Sequence, residues 1–187
     1  MDLKPPEYDL INFKGKIHLI TRDEQLEQLA DELNSARALG FDTETRPSFK
    51  KGEFYNTALI QLATENTAYV IRLHGLTKFE IIKNIFENPQ ILKVGVAIRD
   101  DIKQLQKTFK FAPAHFVELQ DLAKVKGLKN FGLKGMTEEV LQAKLSKAAK
   151  TTNWEAQVLT DRQILYAATD AWIGLELFKK INLMQSS

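Results

Sequence analysis

The segment ILKVGVAI, residues 91–98, constrains the fold more than any other part of the sequence. Its nearly continuous apolar character predicts a strand that is buried on both faces, so helices must cover both sides of the sheet that contains it. Two further strands, at 57–64 and 67–73, are separated only by Glu65-Asn66, which predicts a hairpin. Strands that pair first as a meander and then alternate with helices are typical of an α/β domain with a mixed sheet flanked by helices.

The predicted elements fill most of the chain as a single domain. Strands are predicted at 13–21, 38–45, 57–64, 67–73 and 91–98, with a short strand or a turn at 115–119. Helices are predicted at about 21–37, 77–88, 99–109, 121–150 and 160–181. Capping-box pairs are predicted to open three of these helices: Thr21–Glu24, Thr77–Glu80 and Thr160–Gln163. We expect the domain to cover 13–183, after an irregular lead-in at 1–12 and before a frayed tail at 184–187.

Composition excludes several classes of function. The 187 residues include no cysteine, which excludes disulfides and thiolate zinc sites. The sequence has no Gly-rich phosphate loop, so we expect no nucleoside triphosphate as a substrate. No apolar run approaches ~18 residues and no signal-peptide pattern opens the chain, so we expect a soluble, cytoplasmic protein without a membrane span. Because the net charge is only +2, any nucleic-acid binding must come from a local basic patch.

Four acidic residues lie at the ends of apolar elements or within them. Asp42 and Glu44 end the strand at 38–45, and alternation along a strand places both on one face. Asp101 follows the strand at 91–98, and Asp170 shares a helical stripe with Tyr166 one turn before it. Carboxylates that converge would bind Mg²⁺ through their oxygens, and two such ions can promote phosphodiester hydrolysis. The alternative for Asp170 is an ion pair with a lysine or a capping role.

Three segments in chain order resemble the motifs of a known nuclease family. These are FDTE at 41–44, GVAIRDDIKQL at 95–105 and YAATDA at 166–171. They resemble the exonuclease motifs of the DEDD superfamily, and the tyrosine four residues before the last acid marks its DEDDy branch of 3′–5′ exonucleases. That branch includes ribonuclease D and the Werner syndrome exonuclease domain. The histidine branch is disfavoured, because its histidine position is occupied here by Leu165. The resemblance extends over 14–182.

The resemblance implies a fold, an activity and a role for each site residue. The fold would be ribonuclease H-like, and the activity would be hydrolytic removal of nucleotides from a 3′ end with two divalent ions, Mg²⁺ or Mn²⁺. By position, Asp42 would ligate both ions and Asp101 the second. Glu44 and Asp170 would ligate the first ion, and Glu44 would also contact the terminal 3′ hydroxyl. Tyr166 would orient the attacking water.

The second motif contains two adjacent acids, Asp100 and Asp101, and only one of them corresponds to the metal ligand of the family motif. Asp101 precedes Ile102 and lies four residues before Leu105, which fits the pattern of the family. We therefore assign the metal ligand to Asp101 and expect Asp100 to be the N-cap of the helix.

Two segments are candidates for substrate contact. Residues 121–150 contain seven lysines and three acids, and we expect Lys147 and Lys150 to contact phosphates, although a solvated helical face is the alternative for most of these lysines. The loop 46–56 contains Phe54 and Tyr55, which could stack on a terminal base or pack against the scaffold. Thr43, between the two acids of the first motif, is also a predicted contact.

The sequence therefore predicts a two-metal 3′–5′ exonuclease that releases nucleoside 5′-monophosphates from single-stranded or frayed 3′ ends. DNA is slightly favoured over RNA by the Werner-type segments HFVELQDLA and NWEAQVLTDRQILYAATDA. Two alternatives stay open at this point. One is a nucleic-acid-binding scaffold without catalysis, and the other is a nuclease specific for very short oligonucleotides.

Overall fold

The computed structural model describes residues 4–186 and contains one six-stranded sheet flanked by helices. The strands are β1 (Lys16–Ile20), β2 (Ala38–Thr45), β3 (Thr57–Ala63), β4 (Thr67–Arg72), β5 (Leu92–Gly95) and β6 (Phe116–Glu118). The helices are α1 (Asp23–Ser35), α2 (Glu80–Glu87), α3 (Ile98–Thr108), α4 (Leu119–Val125), α5 (Leu133–Leu141) and α6 (Asp161–Asn182). The prediction of an α/β domain with a mixed sheet is confirmed.

The strand order in the sheet is β1-β4-β3-β2-β5-β6. Strands β2, β3 and β4 form the predicted antiparallel meander, and β4 follows β3 as the predicted hairpin. Strand β1 is different, because it lies parallel to β4 at the edge of the sheet. Strand β5 lies parallel to β2, and β6 lies parallel to β5, so the antiparallel meander in the middle of the sheet has parallel pairs on both sides.

Apolar side chains bury both faces of the sheet, as the composition of 91–98 predicts. On one face, α1, α2 and α3 pack on a core that includes Leu39 and Phe41 of β2. On the other face, α6 crosses the central strands and packs with α4 and α5. Successive residues of β2 therefore face different layers of helices.

The predicted start of one helix is confirmed, and the starts of two others are wrong. The Thr160 hydroxyl accepts a hydrogen bond from Gln163 N at 3.1 Å, and Gln163 Oε1 accepts one from Thr160 N at 3.0 Å. Helix α1 begins at Asp23, and Gln25 rather than Glu24 accepts a bond from the Arg22 amide.

The second wrong start is that of α2. Helix α2 begins only at Glu80, and Thr77 donates to the carboxylate of Asp23 instead of capping the helix. Thr77 therefore bonds to a carboxylate that is distant in the sequence, instead of to the start of its own helix as the capping-box pattern predicts.

The prediction of a helical segment over 121–150 is wrong. Helix α4 ends at Val125 and Gly127 has a φ of 73°, which a right-handed helix does not allow. Helix α5 ends where Gln142 adopts a φ of 51°. Residues 142–150 form no helix, and the amide of Lys144 donates to Asp9 O in the predicted lead-in. The lead-in and the tail extend beyond the described residues at 1–3 and at 187.

The predicted N-cap role of Asp100 is also wrong. Strand β5 ends at Gly95 and α3 is preceded by Ala97, which has a φ of 56°. The chain turns sharply here, so Asp100 lies inside the first turn of α3 and is exposed to solvent.

Candidate active site

The last residues of β2 bring the first two acids of the site to the α6 side of the sheet. Gly40, Asp42 and Glu44 alternate with Leu39 and Phe41, which are buried under the helices of the opposite face. Gly40 allows α6 to lie directly on the strand, because a Cβ atom there would be 1.8 Å from the carbonyl oxygen of a residue in α6. This close contact places Asp170 of α6 over Asp42 and Glu44 of β2.

Three carboxylates meet at this contact. One oxygen from each of Asp42, Glu44 and Asp170 lies within 4.8 Å of the other two. Burial raises the pKa of Glu44 to about 10, with the charges of Asp42 and Asp170 adding to the effect. Burial also raises the pKa of Asp170 to about 7, and raises that of Asp42 well above its usual range. Burial therefore favours the protonated form of all three carboxyl groups, and a bound cation would favour their ionised form instead.

Asp101 reaches the site from the other face of the sheet. Thr43 points away from its two acidic neighbours, and its Oγ1 donates a hydrogen bond of 2.8 Å to Asp101 Oδ1. The pKa of Asp101 is raised by burial, and the bond from Thr43 opposes this rise. The charge of Asp101 in turn contributes to the raised pKa of Asp42, but Asp101 is not among the three acids whose oxygens lie within 4.8 Å of one another.

Tyr166 lies one turn before Asp170 on α6 and shares its cleft. Its hydroxyl lies near Asp170 and partly offsets the effect of burial on the pKa of that acid. Burial and the neighbouring carboxylates raise the pKa of Tyr166, so the phenol remains protonated at neutral pH. Trp154 is completely buried and its ring centroid lies 5.9 Å from that of Tyr166, so the indole supports the tyrosine.

The acids open into a cleft of about 580 Å³. Lys147 and Lys150, for which we predict phosphate contacts, line it. The charge of Lys150 lowers the pKa of Glu44 and of Asp170 against the larger effect of burial. Lys134 lines the same cleft and was missed by sequence reasoning. Its amine lies close enough to Lys147 to lower the pKa of that residue. Only the fold shows which of seven lysines in 121–150 face the acids.

The two predicted contact residues of the loop 46–56, Phe54 and Tyr55, have different surroundings. Tyr55 is half-buried: the guanidinium of Arg46, in the same loop, lies 4.7 Å from the centre of its ring, and Gln104 of α3 donates to its backbone carbonyl oxygen. Phe54 is 89% exposed and makes no such packing. The structure therefore leaves Phe54 accessible to a base and gives Tyr55 a supporting contact.

Comparison with known proteins supports the family suggested by the motifs. The sequence model described as 3′–5′ exonuclease matches residues 17–185. The chain belongs to the 3′–5′ exonuclease family. Members of this family are hydrolases that act on the phosphodiester bonds of nucleic acids.

Two curated relatives and one solved structure show the extent of the similarity. The bifunctional 3′–5′ exonuclease/ATP-dependent helicase WRN of Mus musculus is 35% identical over 161 residues, which cover 83% of this chain and 12% of the relative. Ribonuclease D of Escherichia coli is 31% identical over 166 residues, with coverages of 87% and 43%. The crystal structure of Escherichia coli RNase D, an exoribonuclease involved in structured RNA processing, superposes with a TM-score of 0.81 at 29% identity, covering 92% of this chain and 45% of that one.

These comparisons confirm the ribonuclease H-like fold and the predicted relationship to ribonuclease D and the Werner exonuclease. The chain spans less than half the length of these two curated relatives. Among residues 4–186, no helix combines the length and the apolar character that a membrane span requires.

Proposed function

We propose that this chain hydrolyses the terminal phosphodiester bond at single-stranded or frayed 3′ ends and releases nucleoside 5′-monophosphates. The observation that carries this proposal is the meeting of Asp42, Glu44 and Asp170 within 4.8 Å in a cleft lined by lysines. Buried carboxylates without a counter-charge are costly, and only cations or protons relieve that cost.

The donor set fits divalent ions such as Mg²⁺ or Mn²⁺. All the candidate ligands are carboxylate oxygens, which are the donors these hard cations prefer. Asp42 would hold both ions, with Glu44 and Asp170 at the first and Asp101 at the second. Bound divalent ions would supply Lewis-acid stabilisation of the phosphate and a water of lowered pKa.

The side chains around the acids divide the remaining tasks. The protonated phenol of Tyr166 is a hydrogen-bond donor that can orient the attacking water. Glu44 would contact the terminal 3′ hydroxyl. Lys134, Lys147 and Lys150 provide positive charge for phosphates, which attracts a strand of any sequence. Phe54 is available for stacking on a base, and Thr43 contributes to the site through Asp101.

We favour DNA slightly as the substrate because the segments at 115–123 and 153–171 resemble the Werner-type exonuclease. RNA is the competing choice, because the superposed Escherichia coli enzyme is an exoribonuclease. Matched DNA and RNA strands with single-stranded, recessed and blunt ends, digested side by side, decide between them. A dinucleotide compared with a long strand separates this activity from a nuclease specific for very short products.

The test of the activity uses 5′-labelled strands with Mg²⁺ or Mn²⁺. We expect a ladder that shortens from the 3′ end, and we expect Asp42→Asn to abolish it. Asp31→Asn is the matched control, because Asp31 is exposed on α1 and should leave the ladder intact. The absence of a ladder on every strand, or a ladder that survives Asp42→Asn, would contradict the proposal. A scaffold without catalysis would also bind Mn²⁺ poorly in a calorimetric titration.

A further inference from the structure

Glu118 is a buried acid that lies outside the group of three carboxylates. It ends β6, and only 8% of the residue is exposed. Its Oε1 accepts a hydrogen bond of 2.7 Å from Ala97 N, and its Oε2 accepts one of 2.8 Å from Ile98 N. Oε1 also accepts a bond of 3.2 Å from Gln120 N. One carboxylate therefore binds amides at the start of α3 and at the start of α4.

The backbone that Glu118 holds before α3 is an unusual turn. Ala97 has a φ of 56°, a left-handed conformation that a residue with a Cβ atom rarely adopts unless its surroundings impose it. Gly95 opens the turn and pairs with Glu118 across the sheet, and a Cβ at Gly95 would lie 2.3 Å from Phe41 O of β2. The turn is thus pressed against β2 on one side and bonded to Glu118 on the other.

This turn sets the position of Asp101. Val96, within the turn, lines the cleft of the acids. Asp101 follows Ile98 by three residues in α3, so the first turn of that helix carries it from the Glu118 contact to the bond with Thr43. A shift of the amides of Ala97 and Ile98 would move the carboxylate of Asp101 relative to Asp42.

We propose that Glu118 is a positioning residue that holds Asp101 in place to bind the second divalent ion. This inference rests on the proposed function, because it takes Asp101 to be a metal ligand. A carboxylate offers acceptor oxygens in two directions, whereas a carboxamide at the same position offers only one oxygen and presents an NH₂ group to an amide donor. The charge also complements the positive ends of two helices.

The test compares Glu118→Gln with the wild-type chain. We expect the Mn²⁺ concentration that gives half-maximal cleavage to rise about tenfold, as for other residues that orient metal ligands. We expect the KM for the strand to stay unchanged. Hydrogen exchange at the amides of Ala97 and Ile98 should become faster.

Two further variants separate positioning from general stability. The aspartate in Glu118→Asp can still cap α4 but is too short to hold both amides of the turn. We therefore expect Glu118→Asp to be more stable than Glu118→Gln but to bind Mn²⁺ no more tightly. Asp23→Asn is the matched control, because Asp23 holds the amides of Thr77 and Lys78 far from the cleft in the same manner. It should lower stability and leave the Mn²⁺ requirement unchanged.

An unchanged Mn²⁺ requirement in both Glu118 variants would overturn the inference, and so would an equal rise in Asp23→Asn. Calorimetric Mn²⁺ binding and amide exchange need no substrate. They therefore decide this inference even if the wild-type chain cleaves no strand, an outcome that would count against the proposed function.

Discussion

At the scale of single residues, the site is a set of acids whose charges are uncompensated in the protein alone. Each of the four carboxyl groups has its pKa raised chiefly by burial. When these groups are ionised and no metal is bound, their like charges repel one another, and a bound cation offsets that repulsion. Metal affinity and stability must therefore depend on pH together.

We predict that the metal-free protein loses stability as the pH rises from about 4 to about 10, the range set by the raised pKa values of Asp170 and Glu44. Asp170 holds its proton up to pH about 7 in the folded chain but releases it near its ordinary value of 3.8 in the unfolded chain. Its contribution is therefore complete below the unfolded pKa and is lost as the pH rises through the folded one. Thermal unfolding in EDTA measures this loss, and Asp170→Asn should reduce it. Addition of Mn²⁺ should raise the unfolding temperature more at pH 8 than at pH 5, and an equal rise at both would contradict the prediction.

Tyr166→Phe should lower kcat by about 100-fold, because it keeps the ring but removes the hydroxyl that we propose orients the attacking water. The ring is expected to retain its packing on Trp154, so stability and Mn²⁺ binding should change little. Single-turnover cleavage under saturating Mn²⁺ measures the effect. A variant that cleaves at the wild-type rate would exclude a catalytic role for the hydroxyl.

At the scale of elements, the site depends on the close packing of α6 on β2. The capping pair Thr160–Gln163 fixes where α6 starts, and the register of the helix then places Tyr166 and Asp170 over the strand. The approach itself is possible only because Gly40 has no side chain at the point of contact.

Gly40→Ala should destabilise the protein by about 3 kcal/mol, because its Cβ would overlap the backbone oxygen of Ala171. It should also abolish cleavage by separating Asp170 from Asp42. Urea unfolding and the ladder assay measure the two effects.

The matched control for this substitution is Gly174→Ala, because Gly174 lies on the face of α6 that packs on the sheet. A Cβ at Gly174 would lie 3.4 Å from Val94 O, an ordinary contact, so its stability should stay within about 1 kcal/mol of the wild type. Equal stability of the two variants would show that the close approach at Gly40 is unimportant.

At the scale of the whole molecule, the net charge is only +2, but positive charge is concentrated beside the acids. Lys134 comes from α5, whereas Lys147 and Lys150 come from the irregular segment that follows it. Their convergence predicts binding that weakens with salt, as expected for contacts with phosphates.

Lys134→Ala and Lys147→Ala should each reduce the slope of log affinity against log salt by about one, if each lysine contacts one phosphate. Fluorescence anisotropy with a labelled single strand and without divalent ions measures the slopes. Lys180→Ala is the control, because Lys180 is exposed near the far end of α6. A slope that changes equally in all three variants would contradict a specific role for the cleft lysines.

The sequence by itself determined the features that depend on local periodicity. Strand alternation placed Asp42 and Glu44 on one face, and helical spacing placed Tyr166 one turn from Asp170. The capping pair at Thr160 and the buried strand around 92–95 were also predictable, because each depends on neighbours within a few residues along the chain.

Only the tertiary structure decided which distant groups meet. Asp101 joins the site from the opposite face of the sheet, through a hydrogen bond from Thr43. Asp23 takes Thr77 away from its expected capping role, and Glu118 satisfies amides about twenty residues before it. Such contacts arise because buried polar groups need partners, and the packing of distant elements, rather than the local pattern, decides which partners are within reach.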